Sequence, residues 1–409
     1  MGGFERIQVF ILLSVGIIWF SAQYAPMKHY VITARAQASV AFPVGQSLAM
    51  DYGFPGRVLH LEMHTRRKGE DGAYMGDLQV TGRTLAESIE EAAALVTRGR
   101  EMAIMVALAT NCAISPLEAE LVYEVTPDTD EREFFQRFVP DDQISYADRV
   151  VPMDATSALL SCIAQHSHRD RLVRAISQYS EALSRWENGS ELLSLSHLFM
   201  GVEAIKKACW RNYAIEHKMA KEEIANQWGF KDGGRLTIDD FLDQEARIRL
   251  VFKNDRKHHR IAKDTSDSFE HGFANGGGLF KAAAASLVPT ANYLREAIID
   301  ISGLEPEHRE TLLGDKYSSP RGPAGLEQYF RGVLKAPVGV RLAADDQDHP
   351  FCIWQIEINA RKTAEGTHEY EHKPTMTPII GPGVTLQPLN HEVWARGTFK
   401  PKPASDAEI

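Results

Sequence analysis

The sequence predicts an α+β multidomain protein: a central all-α four-helix bundle flanked by an N-terminal α+β module and a small C-terminal β-rich module. Three observations predict it. Apolar residues recur at helical spacing through four successive segments between residues 167 and 304. Alternating segments that read as half-buried strands, "RVLHLEMHT" and "FCIWQIEINARK", lie on either side. With 409 residues the chain is too long for one compact core. The expected divisions are an apolar segment at 1–26, the α+β module at 27–139, the bundle at 158–304, the β-rich module at 326–400 and a disordered tail at 401–409.

The first element expected is problematic. Residues Ile7 to Ala22, "IQVFILLSVGIIWFSA", are almost wholly apolar, yet fall short of the roughly 20 residues a spanning helix needs. Arg6 is offset by Glu5, and "SAQYA" fits a signal cleavage site poorly. A membrane anchor through residues 7–22 is therefore the alternative to a buried segment or an extension before Met27. From Met27, "MKHYVITARAQ" reads as a strand, and Val58 to Met63 alternate as a second. Thr84 and Glu87 form a capping box, with Leu85, Ile89, Ala92 and Val96 behind it, which predicts a long helix. "LEAELVYEVT", Leu117 to Thr126, is a returning strand, and Pro140 to Ser157 reads as a linker.

The helical region follows. Ser167 with Asp170 opens the first helix, which carries Leu172, Ile176, Tyr179, Leu183 and Trp186 and stops at Asn188-Gly189. The second starts at Ser190 and runs toward His217, with Leu195, Phe199, Val202 and Cys209 on one face; a short piece, "KEEIANQWGF", and a "KDGGR" turn come next. Thr237 with Asp240 caps the third, which carries Phe241, Ile248 and Phe252. Gly276 to Gly278 read as a turn before the fourth helix, with Leu287, Leu294, Ile298 and Ile301, a stop at Gly303 and a kink at Pro289. Glu305 to Gly325 is a polar connector, after which "FCIWQIEINARK" and "GVTLQPL" are strands.

Composition limits the chemistry. A hydrophobic fraction of 44% and a charged fraction of 24% belong to a globular protein. The net charge of −10 and a pI near 5.9 exclude grip on a polyphosphate over the whole surface and confine any such contact to a local patch. Cys112, Cys162, Cys209 and Cys352 are scattered with no C-x-x-C pair, which suggests neither a disulfide framework nor a cysteine zinc site and fits a cytoplasmic location. No cofactor motif is evident.

The third helix carries the local patch. Lys253, Arg256, Lys257, Arg260 and Lys263, offset by Asp255, give +4 within eleven residues. At 100° per residue, Arg256, Arg260, Lys263, Asp267 and His271 share one face, with Asp267 and His271 spaced to pair; Val251, Ile261, Ala262 and Phe269 point toward the core. A solvated helix face explains this pattern without any function.

The helical region, with "MGVEAIKKA" in its second helix and "SDSFEHGF" ending its third, resembles the HEPN superfamily of four-helix nucleic-acid-associated domains over residues 167–304. Ribonuclease members carry an arginine four to six residues before a histidine at the end of the third helix, usually followed by glycine, and dimerise to bring two such pairs together. His271-Gly272 matches the histidine end. The arginine is not matched, because Asp264, Thr265 and Ser266 hold those positions and an aspartate repels phosphate. The resemblance implies RNA as partner, a homodimer through the bundle and metal-independent cleavage without a cofactor, in a prokaryotic defence or stress setting. In it His271 transfers protons, Arg260 or Lys263 stabilises the pentacovalent phosphate, Glu203 orients His271, and Lys253, Arg256 and Lys257 bind RNA. The missing arginine makes a non-catalytic dimerising scaffold the alternative.

Two further patterns carry less. "HEYEH", His368 to His372, satisfies H-E-x-x-H, which works only on a helix, but a nearby glycine and proline favour a strand or hairpin. His166 and His168 with Cys162 have metal-ligand chemistry, but their place at a helix entrance favours capping.

Overall fold

The computed structural model describes residues 5–11, 27–68, 72–137, 147, 149–231, 235–271, 276–323, 326–339, 351–362, 368–379 and 383–395. Residues 12–22 of the anchor expectation, the 401–409 tail and residues 140–146 and 148 of the expected linker lie outside the described residues. The protein is mixed α+β and divides into two units, one of Met1–Arg66, Tyr74–Gly325 and Arg396–Ile409, the other of Arg67–Ala73 and Leu326–Ala395. No helix among the described residues is long and apolar enough to cross a membrane.

In the first unit, β1 (Glu5–Ile11), β2 (Lys28–Gln37), β4 (Gln46–Phe54), β5 (Arg57–Lys68), β6 (Gly72–Ala86), β7 (Glu118–Glu124) and β8 (Phe134–Gln136) form a seven-stranded sheet in the order β1-β4-β5-β6-β2-β7-β8. β1 lies parallel to β4; the β4–β5, β6–β2, β2–β7 and β7–β8 pairs are antiparallel. Alternation selects the buried face: Leu59, Leu61 and Met63 are fully buried while Val58, between the turn and Leu59, is 55% exposed. A two-residue strand β3 (Val40–Ala41) pairs with β9 (Arg149–Val150).

The predicted capping box is displaced. Thr84 and Leu85 belong to β6, whose inward residues Leu78, Val80, Thr84 and Ala86 continue the period of two and pair β2 as far as Lys28↔Ala86. Sheet pairing overrides the local cap signal, and Ser88 becomes the N-cap of α1 (Ile89–Leu95), accepting a hydrogen bond from the Glu91 amide at 3.2 Å. A 3₁₀ turn, Val96–Arg98, then leads into α2 (Gly99–Thr110). Every residue of α2 from Met102 to Thr110 is buried, because it touches the sheet at Leu61 and Val80 through Gly99 and the helices α3 (Met153–Gln165) and α4 (Arg169–Ser184) elsewhere. The sheet and these helices share one continuous core.

α3 occupies the C-terminal part of the expected linker: Leu159, Leu160 and Ile163 are buried, a helical period too short to stand out beside Asp and Pro. α4 follows as expected, although its N-cap is His168 rather than Ser167. α5 (Glu191–His217) packs against α4, α9 (Gly276–Ile301) and α8 (Arg256–His271), and α9 also touches α4 and α8. α6 (Lys221–Trp228) and α7 (Ile238–Ala246) build a satellite core with Trp210 of α5. Thr237 caps α7, accepting from the Asp240 amide at 3.2 Å.

The third helix is not continuous. α7 passes into a π-helical turn, Arg247–Val251; Lys253 and Asn254 adopt positive φ of 49° and 68°, and Asp255 restarts the chain as α8 by accepting from the His258 amide at 2.9 Å. Gly276 to Gly278 are not a turn but the first turn of α9, which runs through Pro289 as one helix. Ile261 is 37% exposed rather than core, since α8 sits at the margin of the helical layer. The expected connector holds α10 (Pro306–Leu313) and a 3₁₀ turn, Asp315–Tyr317, anchored by buried Leu312 and Tyr317.

Two buried arginines finish α2. Arg149 donates to the carbonyls of Thr110 (2.7 Å), Asn111 (3.2 Å) and Ser319 (2.7 Å); Arg295 donates to those of Leu108 (2.8 Å), Ala109 (2.9 Å) and Leu312 (2.8 Å). The carbonyls that every helix leaves unpaired at its C-terminus thereby receive charged donors, and the helix dipole favours the cations there.

In the second unit, β10 (Leu326–Lys335) pairs antiparallel with β13 (Thr385–Ala395), and β11 (Phe351–Lys362) with β12 (His368–Ile379). "HEYEH" opens β12, with His368 opposite Lys362 and His372 opposite Ile358. Four residues along a strand separate two Cα atoms by about 13 Å, so the one-turn proximity that H-E-x-x-H requires is not formed.

Candidate functional site

α8 gathers the charge that the sequence singled out, and the π-turn before it decides where each group goes. The turn carries Arg247 to α5, where it pairs with the Glu203 carboxylate; Lys206 Nζ meets the same carboxylate at 2.6 Å. Burial pushes the Glu203 pKa up, but the two cations outweigh burial and hold it below the usual carboxylate range. Glu203 therefore stays ionised and occupied.

Its position separates it from His271. On α5, Ser196 donates to Glu270 Oε1 at 3.1 Å, whereas Phe199, about a turn farther on, meets the ring of His259, with centroids 6.2 Å apart. Glu203 thus belongs to the His259 level of α8, and twelve residues of helix place the His271 Cα about 18 Å beyond it. His271 ends α8, and its side chain lies outside the described residues. Among the described residues the ion-pair partners of Glu203 are Arg247 and Lys206.

The cations divide into two groups. Lys253 pairs with Glu296 of α9, Arg256 with Glu245 at 3.0 Å, and Lys263 with Asp267 one turn along, which takes the acid expected for His271. Lys257 and Arg260 are exposed and have no ion-pair partner among the described residues. Arg260 and His271 share a face within about 20°, but their Cα atoms are about 16 Å apart along the axis, and those of Lys263 and His271 about 12 Å.

The inner side of α8 holds two histidines that sequence reading passed over. His259, 7% exposed, packs edge-on to Phe252 at 5.2 Å, and its Nε2 has no hydrogen-bond partner among the described residues; Arg247 Nε is in the same condition. Burial, then the Arg247 and Lys263 charges, push its pKa down and keep it neutral. His258 Nε2 meets Thr290 Oγ1 at 3.1 Å, and the Tyr293 hydroxyl donates to Asp255 Oδ2 at 3.2 Å. The adjacent pair "HH" after Asp255 was the visible signal; its partners lie on α5 and α9, tens of residues away.

Elsewhere, His166 and His168 have ring centroids 5.8 Å apart, but no three His, Cys, Asp or Glu groups among the described residues converge on a metal-sized site. A groove of about 570 Å³ along His29, Val31, Arg83 and Tyr123 and a cleft of about 290 Å³ between α2 and α4 contain no residue of α8. No protein-family model, curated protein or solved structure matches the chain.

Proposed function

We propose that α4, α5, α7 with α8, and α9 are the four helices of a HEPN-like bundle that acts in RNA binding or processing, with α8 as the RNA-facing element. The observation that carries this reading is the exposed Lys257–Arg260 pair, which has no ion-pair partner among the described residues, beside Lys253, Arg256 and Lys263, which are paired. A guanidinium and an ammonium one turn apart suit neighbouring phosphates of a strand laid along the helix. Lys253 and Arg256, though paired, lie at the same end and lengthen the track.

The roughly 16 Å between Arg260 and His271 favours binding over cleavage. Cleavage, with His271 moving the proton and Arg260 or Lys263 on the phosphate, is tested by incubating structured RNA with the protein in EDTA, beside His271→Ala and Arg260→Ala. RNA bound but uncut supports the binding reading. Cutting lost in both variants establishes the nuclease, and absence of both binding and cutting removes RNA altogether.

The second reading, a dimerising scaffold, is favoured by an apolar stripe on α9. Phe280, Ala284 and Val288, spaced at four residues, are exposed, with Ile261 of α8 also exposed. A dimer abolished by Val288→Glu, together with no RNA affinity, supports the scaffold.

A further inference from the structure

The outer edge of the sheet carries an inference independent of the RNA reading. β8 ends the strand order, and among the described residues nothing pairs its far side. The edge is apolar: Phe134 is 72% exposed and Phe135 45%. Proteins usually blunt such edges, since unpaired amides and carbonyls on an apolar strand recruit another strand.

The register decides which groups are free. The Glu124 amide donates to the Glu133 carbonyl at 2.9 Å, and the Arg137 amide donates to the Glu120 carbonyl at 2.8 Å, so residues 133 and 137 direct their backbone groups toward β7. Val122 lies opposite Phe135, which by antiparallel alternation bonds inward as well. Phe134 and Gln136 therefore direct their amide and carbonyl groups outward.

We propose that this edge pairs with a second copy of the chain, β8 to β8, antiparallel across a two-fold axis at Phe135. Pairing through the outward groups sets Phe134 opposite the partner's Gln136 in hydrogen-bonded pairs and Phe135 opposite the partner's Phe135. The same register sets Glu133 opposite the partner's Arg137, and Arg137 opposite the partner's Glu133. Both charged contacts fall at non-hydrogen-bonded positions, where side chains approach most closely. The stretch "EREFFQR" is thus complementary to itself, as an isologous interface requires, and this selects a second copy over an unrelated strand. Arg137, 50% exposed and held at 2.8 Å by Glu118, has room for a second carboxylate.

The test uses the full chain in sedimentation over a range of concentrations. Wild type should dimerise reversibly. Gln136→Pro removes only an outward amide and leaves the β7 ladder whole, so it should weaken dimerisation at least tenfold. Glu133→Arg and Arg137→Glu should each do the same alone and recover the dimer when the two proteins are mixed, because opposite charges then face each other at both positions. Phe135→Cys should form an inter-chain disulfide under mild oxidation above the level of wild type, whereas Phe134→Cys, displaced from its own copy, should not. A wild type that stays monomeric, a dimer indifferent to Gln136→Pro, failure of mixing to restore it, or equal cross-linking at 134 and 135 overturns the proposal.

Discussion

The hydroxyl of Tyr179 on α4 donates to Asn111 Oδ1 at 2.6 Å in the fully buried interior, at the residue that ends α2. Asn111 sits in the left-handed region at φ 55°, which its short polar side chain tolerates, and its Nδ2 donates to the carbonyls of Tyr317 at 2.9 Å and Ser318 at 3.3 Å. One side chain therefore joins the first helical layer to the segment after α10. Asn111→Ala strands the phenol and two carbonyls, and should cost about 2–4 kcal/mol; Tyr179→Phe leaves one acceptor and should cost about 1–3 kcal/mol. Urea unfolding measures both, and a loss below that of a surface substitution would refute the linkage.

Gly201 marks a close approach between helices. A Cβ there would come 2.6 Å from Leu294 Cδ2 of α9 and 3.4 Å from the Ala175 carbonyl of α4. Gly201→Ala should destabilise by about 1–3 kcal/mol despite the better helix propensity of alanine. Combined with Leu294→Val, the loss should be smaller than the sum of the two single losses. Strict additivity in thermal melts would place the crossing elsewhere.

Salt dependence tests the proposed RNA contact. Arg260→Ala should lower the slope of log affinity against log salt by about 0.7 for single-stranded RNA, the release of one phosphate's counterion. Asp267→Asn frees Lys263 from its partner and should strengthen binding and steepen the slope. Fluorescence anisotropy at several salt concentrations checks both, and two unchanged slopes would remove α8 from the interface.

Acid should weaken the fold. His166, His168, His197, His258 and His259 all have pKa values pushed down, in each case mainly by burial. The unfolded chain therefore takes up these protons first. Stability is retained above the ordinary histidine pKa of about 6.5 and is lost progressively as pH falls below it toward the lowered folded values. Unfolding midpoints between pH 8 and 5 measure the decline, on which carboxylates with lowered pKa add their own loss at more acid pH. His259→Leu should make the decline shallower; an unchanged profile would mean that His259 is already charged.

Strands and helices with strong periods were legible in the sequence: β2, β5, β7 and β11, and the helices α4, α5 and α7, all stand where alternation or 3.6-residue spacing puts them. Ends and connections were less so. Thr84 was a cap by local rule and a strand residue by pairing with Tyr30, fifty-four positions away. The start of α3 and the whole of α10 lay in stretches that read as connectors, and contact with distant segments makes their apolar residues core. At the candidate site the cationic stripe was visible, but its neutralisation was only half so. Lys263–Asp267 follows an i,i+4 spacing, whereas Glu203–Arg247 depends on a π-turn that no propensity announces.

The two arginines at the end of α2 set an order of events during synthesis. Arg295 closes loops back to Leu108 and Ala109 over 187 and 186 residues, and Arg149 reaches forward to Ser319. α2, the helix against which the sheet is built, cannot have its last carbonyls satisfied until the chain beyond residue 295 has left the ribosome. Contacts so distant in sequence are formed slowly. The sheet and the helices of the first unit should accordingly be completed together rather than in succession, and a nascent chain released before that point would be the species most in need of a chaperone.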